Sequence, residues 1–183
     1  MIMEILEQES VLKSFEILVD TREHATESLV KRCKAFGVPY QRAKLNYGDY
    51  SYNITLPNGK KLFDTEKPID PLCSIERKEN LTELSGNFTK NRDRFRREFE
   101  RAKEHKARLY LICEGASWED IKNHRYRTKF HPSAYLASLI AWLVRYNLNV
   151  TFCKAETSAM MIKEILYRDC KERLENGEFD TDG

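Results

Sequence analysis

Five residues have types and spacings that could do chemistry: Asp20, Glu23, Asp49, Glu76 and Lys78, each at or near the end of a segment patterned as a β-strand. Open α/β sheets place their sites at strand ends. In Ile75-Glu76-Arg77-Lys78 the period of two sets Glu76 and Lys78 on one face and Arg77 on the other. Asp49, in Gly48-Asp49-Tyr50, is expected from a neighbouring strand and would complete a hard oxygen site for Mg²⁺ or Mn²⁺. Phosphodiester hydrolysis uses such parts. The metal neutralises phosphate and activates water, and the lysine orients that water or stabilises charge developing on the phosphorane. Asp20 and Glu23 could converge on this cluster and supply a further ligand. An isolated E-x-K is usually an exposed or ion-paired feature of a charged strand; four acids at successive strand ends make a stronger case.

The elements that must position these residues follow from hydrophobic patterning. Phe15 to Val19 is a short apolar run ending at Asp20. A helical pattern follows, with Ala25, Leu29, Val30, Cys33 and Phe36 on one face and Gly37 as stop signal. Residues 48–56 alternate as a half-buried strand with Tyr50, Tyr52, Ile54 and Leu56 on one side. Pro57-Asn-Gly59 is a turn, and Lys60 to Phe63 is expected to return as a hairpin before the strand Leu72 to Lys78. From Leu81 one basic helix is expected, with Phe88, Phe95, Phe99 and Ala102 on its apolar side. Arg108 to Glu114 reads as a buried strand, Ser133 to Tyr146 as an internal helix, Asn149 to Cys153 as a strand, and Thr157 to Leu174 as a closing helix with Met161, Ile165 and Leu166 inward. Strands alternating with helices after an antiparallel hairpin predict an α/β/α sandwich around a mixed sheet.

Composition narrows the class. At 183 residues, with 41% hydrophobic and 33% charged, the chain suits one compact domain and not a disordered or low-complexity polymer. No apolar run reaches the roughly 18 residues of a membrane span, and the first ten residues are acidic, unlike a signal peptide. A soluble, cytoplasmic protein is the expectation. The net charge of +2 conceals a segregation: residues 84–131 hold 13 Lys and Arg against 7 Asp and Glu, so a basic middle lies between acidic ends and can attract phosphates. The five cysteines are widely spaced with no C-x-x-C pair, and read as buried reduced thiols.

Val19-Asp20-Thr-Arg22-Glu23, then Gly48-Asp49-Tyr50, then Ile75-Glu76-Arg77-Lys78 resembles, in order and spacing, the nuclease domain of the XPF and Hef endonucleases, a branch of the PD-(D/E)XK nuclease superfamily. The likeness covers about Phe15 to Leu174. It implies a restriction-endonuclease-like fold and Mg²⁺-dependent cleavage of DNA near junctions, flaps or forks, with Mn²⁺ as a substitute. It also implies nuclease domains that commonly pair, so a homodimer is expected. Asp20, Asp49 and Glu76 match metal-coordinating acids, Glu23 a supporting acid, and Arg77 and Lys78 complete the signature. The carbonyl of Arg77 could also face the ion, while its side chain could bind DNA phosphate or pair with an acid. Two departures stand out: the family pattern has an acid where this chain has Thr82, followed by Glu83, and family members carry a helix-hairpin-helix module after the nuclease, whereas nine residues follow Leu174 here. A single nuclease domain over residues 1–183 without that module is therefore expected.

Phosphate contacts are expected from Arg92, Arg96, Arg97 and Arg101 on the basic helix, with Lys90 and Arg94, and from Arg125, Arg127 and Lys129, with Lys122, on a loop after the Arg108 strand. Trp118, Tyr126 and Phe130 could stack on unpaired bases or anchor that loop. The sequence thus points to a metal-dependent endonuclease for branched or partly single-stranded DNA. The alternatives are a noncatalytic DNA-binding or dimerisation subunit, against which the intact acids argue, and a related nuclease with a restriction-like or RNA target.

Overall fold

A computed structural model of the chain describes residues 5–179. Along the chain lie α1 (Ile5–Lys13), β1 (Glu16–Asp20), α2 (Glu27–Ala35), β2 (Tyr40–Ala43), β3 (Tyr50–Asn53), β4 (Cys73–Lys78), α3 (Leu81–Phe88), α4 (Arg92–Glu104), β5 (Arg108–Glu114), α5 (Trp118–Lys122), α6 (Pro132–Tyr146), β6 (Leu148–Cys153) and α7 (Ala155–Glu175). The strands form one sheet in the order β2-β1-β3-β4-β5-β6. The pairs β1/β2, β4/β5 and β5/β6 are parallel, whereas β3 runs antiparallel to both β1 and β4. The mixed α/β/α sandwich is the fold expected from the sequence.

Strand alternation divides the core. Ile17, Val19, Tyr50, Tyr52, Ile75 and Ile112 belong to one apolar cluster with residues of α1, α2 and α7. Leu109, Leu111 and Cys113 belong to a second, with residues of α3, α4 and α6. In that second layer Trp142 stacks on Phe95 at 4.8 Å and meets Phe88 edge-on at 5.2 Å. Each such buried aromatic contributes roughly 2–3 kcal/mol through area alone, and together they hold the start of α4 against the sheet. On the other side, α7 is fixed by polar bonds as well. Asp169, nearly fully buried, accepts from Tyr52 Oη at 3.0 Å, Arg108 Nη1 at 2.9 Å and Arg173 Nε at 2.8 Å, and Arg173 Nη2 also reaches the Leu72 carbonyl at 3.1 Å.

Several elements differ from the sequence expectation. The basic helix is two helices. Between α3 and α4, the amides of Thr89 and Asn91 turn back to the Gly86 carbonyl, so Phe88 and Phe95 enter one core from different axes. β3 is buried on both faces: Ser51 Oγ donates to the Cys73 carbonyl, and the Asn53 side chain bonds the backbone of Ile54 and Phe63. The Pro57-Asn-Gly59 turn is present, with Gly59 N bonded to Leu56 O, and the returning segment pairs back as expected, Leu56 N donating to the Lys60 carbonyl at 2.8 Å and Leu62 N to the Ile54 carbonyl at 2.9 Å around a Thr55–Lys61 bridge, but it is too short to add a strand to the sheet. In the Ala25 to Phe36 segment Leu29, Cys33 and Phe36 are buried, while Ala25 and Val30 face solvent. Likewise α6 is internal on one face only, since Ile140 and Val144 are 49% and 82% exposed. The cysteines are free thiols, four of them buried. Among the described residues no helix is long and apolar enough to cross a membrane.

Candidate active site

The reversed direction of β3 creates the site. Its beginning lies beside the C-terminal ends of β1 and β4, so Asp49, just before β3, is placed between Asp20 and Glu76. Asp20 N donates to the Asp49 carbonyl at 2.9 Å, and Asp49 N to the Ile75 carbonyl at 2.8 Å. The turn into β3 needs Gly48, which has φ +73° and sits so close to β4 that a Cβ would fall 1.8 Å from Ser74 Oγ.

Glu76 and Lys78 project from the same face of β4 into a cleft of about 300 Å³ that is walled by α3 and α4 and also lined by Arg22, Glu23, Asp49, Glu83, Arg94 and Glu98. Lys78 Nζ is 2.6 Å from Glu76 Oε1, 3.7 Å from Glu83 Oε1 and 5.8 Å from the centre of the Phe95 ring. Asp49 Oδ2 accepts the Arg77 amide at 2.7 Å. Burial, reinforced by the Glu76 charge, pushes the Asp49 carboxyl well above its usual range. Burial also raises Glu76, against the opposing pull of Lys78. For Lys78 burial favours the neutral amine, but Glu76 and Asp49 outweigh it and hold the side chain as an ammonium. A half-buried and a buried carboxylate whose surroundings penalise their charge are a fitting donor set for a hard divalent cation.

Not every expected site residue converges there. Glu23 lines the cleft. Asp20 is buried with both carboxylate oxygens engaged: Oδ1 accepts from Arg22 N at 2.6 Å and Arg22 Nε at 2.8 Å, and Oδ2 from Leu45 N at 2.8 Å. With Asp20 turned to Arg22 and Glu76 to Lys78, no three potential ligands among the described residues are drawn together as a metal cluster. The Arg77 side chain lies on the opposite face of the sheet, where its Nε and Nη2 meet Glu114 Oε1 and Oε2 at 2.7 and 2.6 Å. It pairs with an acid. At the family's missing acid, Thr82 Oγ1 accepts the Arg127 amide at 3.0 Å, and the neighbouring Glu83 is the residue that reaches the cleft.

Three contributors escaped the sequence reading. Glu98 sits in a strongly basic helix and looks like a surface acid, yet its carboxylate is only 10% exposed and lies 3.1 Å from Arg22 Nη1. Arg22 is a hub that also donates to the Leu45 carbonyl at 3.2 Å. Glu114 anchors Arg77. The sequence signals were the place of Arg22 in the Val19 to Glu23 motif, the i, i+4 pairing of Arg94 with Glu98 and the acid at the end of an apolar strand.

The expected phosphate-binding residues lie on α4 and on the segment after α5, and of them Arg94 alone lines the cleft itself. Arg92, Arg96 and Arg97 are exposed on α4; Arg96 lies 3.7 Å from Asp93, and Arg101 donates to the Asn46 carbonyl at 3.0 Å. Arg125 pairs with Asp120 at 3.1 Å, while the Arg127 and Lys129 side chains are exposed. The expected loop begins as the short helix α5. Tyr126 and Phe130 pack on Tyr135 at 5.1 and 5.2 Å, anchoring the segment, and Trp118 meets Phe152 edge-on.

Comparison with known proteins gives a consistent picture. The family model described as the ERCC4 domain matches residues 19–165. Among solved structures the chain is similar to XPF from Aeropyrum pernix, at 19% identity and a TM-score of 0.56 over 84% of this chain and 61% of that one. It is also similar to XPF from Aeropyrum pernix in complex with DNA, at 20% identity and a TM-score of 0.57 over 87% of this chain and 66% of that one. The chain thus spans less than two thirds of the length of these relatives, and the likeness is one of fold. No curated protein matches the sequence.

Proposed function

The chain belongs to the ERCC4 domain family, and from that premise we propose that it is a divalent-metal-dependent endodeoxyribonuclease acting on flap, fork or junction DNA. The observation that carries this reading is the meeting of Asp49, Glu76 and Lys78 in one cleft under the basic helix α4. A DNA complex of a relative with the same fold supports the substrate class.

Asp49 and Glu76 would hold Mg²⁺ or Mn²⁺, with the Arg77 carbonyl as a further oxygen and Glu23 at the margin. Asp20, engaged by Arg22, supports Asp49 from β1. The bound ion would supply a lowered pKa for water and neutralisation of the phosphate. Lys78, kept as an ammonium by Glu76 and Asp49, has a proton to donate and no lone pair to accept one. Beside Glu76 it is placed as a hydrogen-bond donor that orients water or stabilises charge on a phosphoryl oxygen. Arg92, Arg96, Arg97 and Arg101, with Arg125, Arg127 and Lys129, would take the backbone phosphates. In this reading residues 1–183 act as one nuclease domain.

Cleavage of flap, fork, four-way junction and linear duplex DNA with Mg²⁺, Mn²⁺ or EDTA tests the proposal. Metal-dependent incision of the branched substrates, abolished in Asp49→Asn and Glu76→Gln, is expected. Wild-type protein that binds these substrates without cutting any would instead make it a noncatalytic DNA-binding subunit. A homodimer is part of the reading, supported by the exposed Ile140–Val144 face of α6. Light scattering should give twice the chain mass, reduced to one in Val144→Asp.

A further inference from the structure

We propose that Glu114 is a positioning residue for the active strand, acting through Arg77 on Asp49. The inference rests on reading the cleft as a nuclease centre, and its residues lie on the opposite face of the sheet from that cleft.

Arg77 works on two sides of β4 at once. Its amide donates to Asp49 Oδ2 at 2.7 Å, and its guanidinium forks onto Glu114 with two bonds of 2.7 and 2.6 Å. The parallel register pairs Lys78 with Cys113, so Glu114 stands one residue beyond the end of β4, where the strand would otherwise fray. Glu114 is 3% exposed. Burial opposes its charge, but the bonds from Arg77 and Ser158 and the nearby Arg32 more than compensate and keep it ionised. Arg32 Nη2 approaches Glu114 to 4.0 Å, and Arg32 Nη1 donates to Tyr50 Oη at 3.0 Å. Tyr50 follows Asp49 in the chain. The contacts therefore close a circuit through the sheet, from Asp49 to Tyr50, Arg32, Glu114 and Arg77 and back to Asp49.

The circuit has a mechanical consequence. A bidentate carboxylate fixes both the position and the plane of a guanidinium, and that holds the largely buried Arg77 side chain in one conformation beside the strand whose amide meets Asp49. Removing Glu114 leaves a cation whose side chain is 13% exposed without its partner, so the end of β4 around residue 77 loses its anchor and opens more readily. Asp49 then loses the donor that orients its carboxylate. Supporting bonds of this kind typically change metal affinity or activity by about 10–100-fold when lost.

The competing account is an ion pair that serves the fold alone. Buried pairs can often be replaced by apolar residues of similar volume with no loss of stability, which separates the two. The test compares wild type, Glu114→Gln, Glu114→Asp and the double variant Arg77→Met/Glu114→Leu by thermal melting, hydrogen exchange at the Arg77 amide, Mn²⁺ titration and cleavage of fork DNA. The expected double variant melts close to wild type, yet exchanges its residue-77 amide at least about tenfold faster, binds Mn²⁺ about tenfold more weakly and loses kcat with little change in KM. Glu114→Asp should recover part of each loss suffered by Glu114→Gln. A double variant with wild-type exchange and Mn²⁺ affinity overturns the proposal, and so does one that cannot fold, because the pair is then a requirement of the fold. Should wild-type protein cleave nothing, the nuclease reading fails, while the exchange measurement still decides the role of Glu114.

Discussion

Arg22 Nη1 lies 3.1 Å from Glu98 Oε1 while Arg22 Nε lies 2.8 Å from Asp20 Oδ1, so one arginine joins the end of β1 to helix α4 across 76 residues of chain. Both acids are buried and Arg22 is partly exposed. Arg22→Ala should cost about 2 kcal/mol in urea denaturation, from charged hydrogen bonds discounted for that exposure. Glu98→Gln, which can still accept from Arg22, should cost less. Equal stability of Arg22→Ala and wild type would show that the link holds nothing.

Asp49 should set a distinctive pH dependence in metal-free protein. Its raised pKa means the folded state takes up a proton at higher pH than the unfolded chain. The ionised carboxylate therefore costs stability near neutrality, and acidification relieves that cost from the raised folded value down to the ordinary value of 3.8. Asp49→Asn, which cannot ionise and still accepts the Arg77 amide, should melt above wild type in EDTA at neutral pH. The gap should close as the pH falls. A gap that widens on acidification would show that the carboxylate is not strained by its surroundings.

Gly48→Ala should be among the most damaging single substitutions. The left-handed backbone and the overlap with Ser74 each cost about 1–3 kcal/mol, so a loss of roughly 2–5 kcal/mol is expected, with Asp49 displaced from Glu76. Melting within a degree or two of wild type would mean that β4 yields easily at Ser74.

Electrostatic binding through α4 can be read from salt dependence. Arg92 and Arg97 are exposed and have no ion pair among the described residues. Replacing both with Ala should lower the slope of log affinity against log salt for duplex DNA by about 2, since each phosphate contact contributes about 0.9. An unchanged slope would place the DNA elsewhere.

Short-range pattern carried much of this protein into view. The alternation of Glu76, Arg77 and Lys78 predicted two faces, and the structure shows them; Asp49 was expected near a strand end, and it stands just before β3. What stayed hidden depends on distant partners. Nothing near Glu98 announces that Arg22 will meet it, because the chain passes through three strands between them. The engagement of Asp20 by Arg22 and Leu45 depends on a turn whose path is set by tertiary packing. The break at Thr89 to Asn91 was invisible because Phe88, Phe95 and Phe99 keep a helical spacing across it, and α1 lacks an apolar stripe strong enough to stand out.

The attachment of α7 bears on when the cleft can exist. Every residue lining the cleft lies between positions 22 and 98, yet β3 and β4 rest on a helix that begins at Ala155 and is locked by Asp169 to Tyr52, 117 residues earlier. Closing loops of that length is slow and late in folding. During synthesis the acids and the lysine emerge well before the helix that supports their strands. A chain still growing thus holds all the residues of the cleft without the sheet that aligns them, and the site is assembled only when the end of the sheet-covering layer arrives.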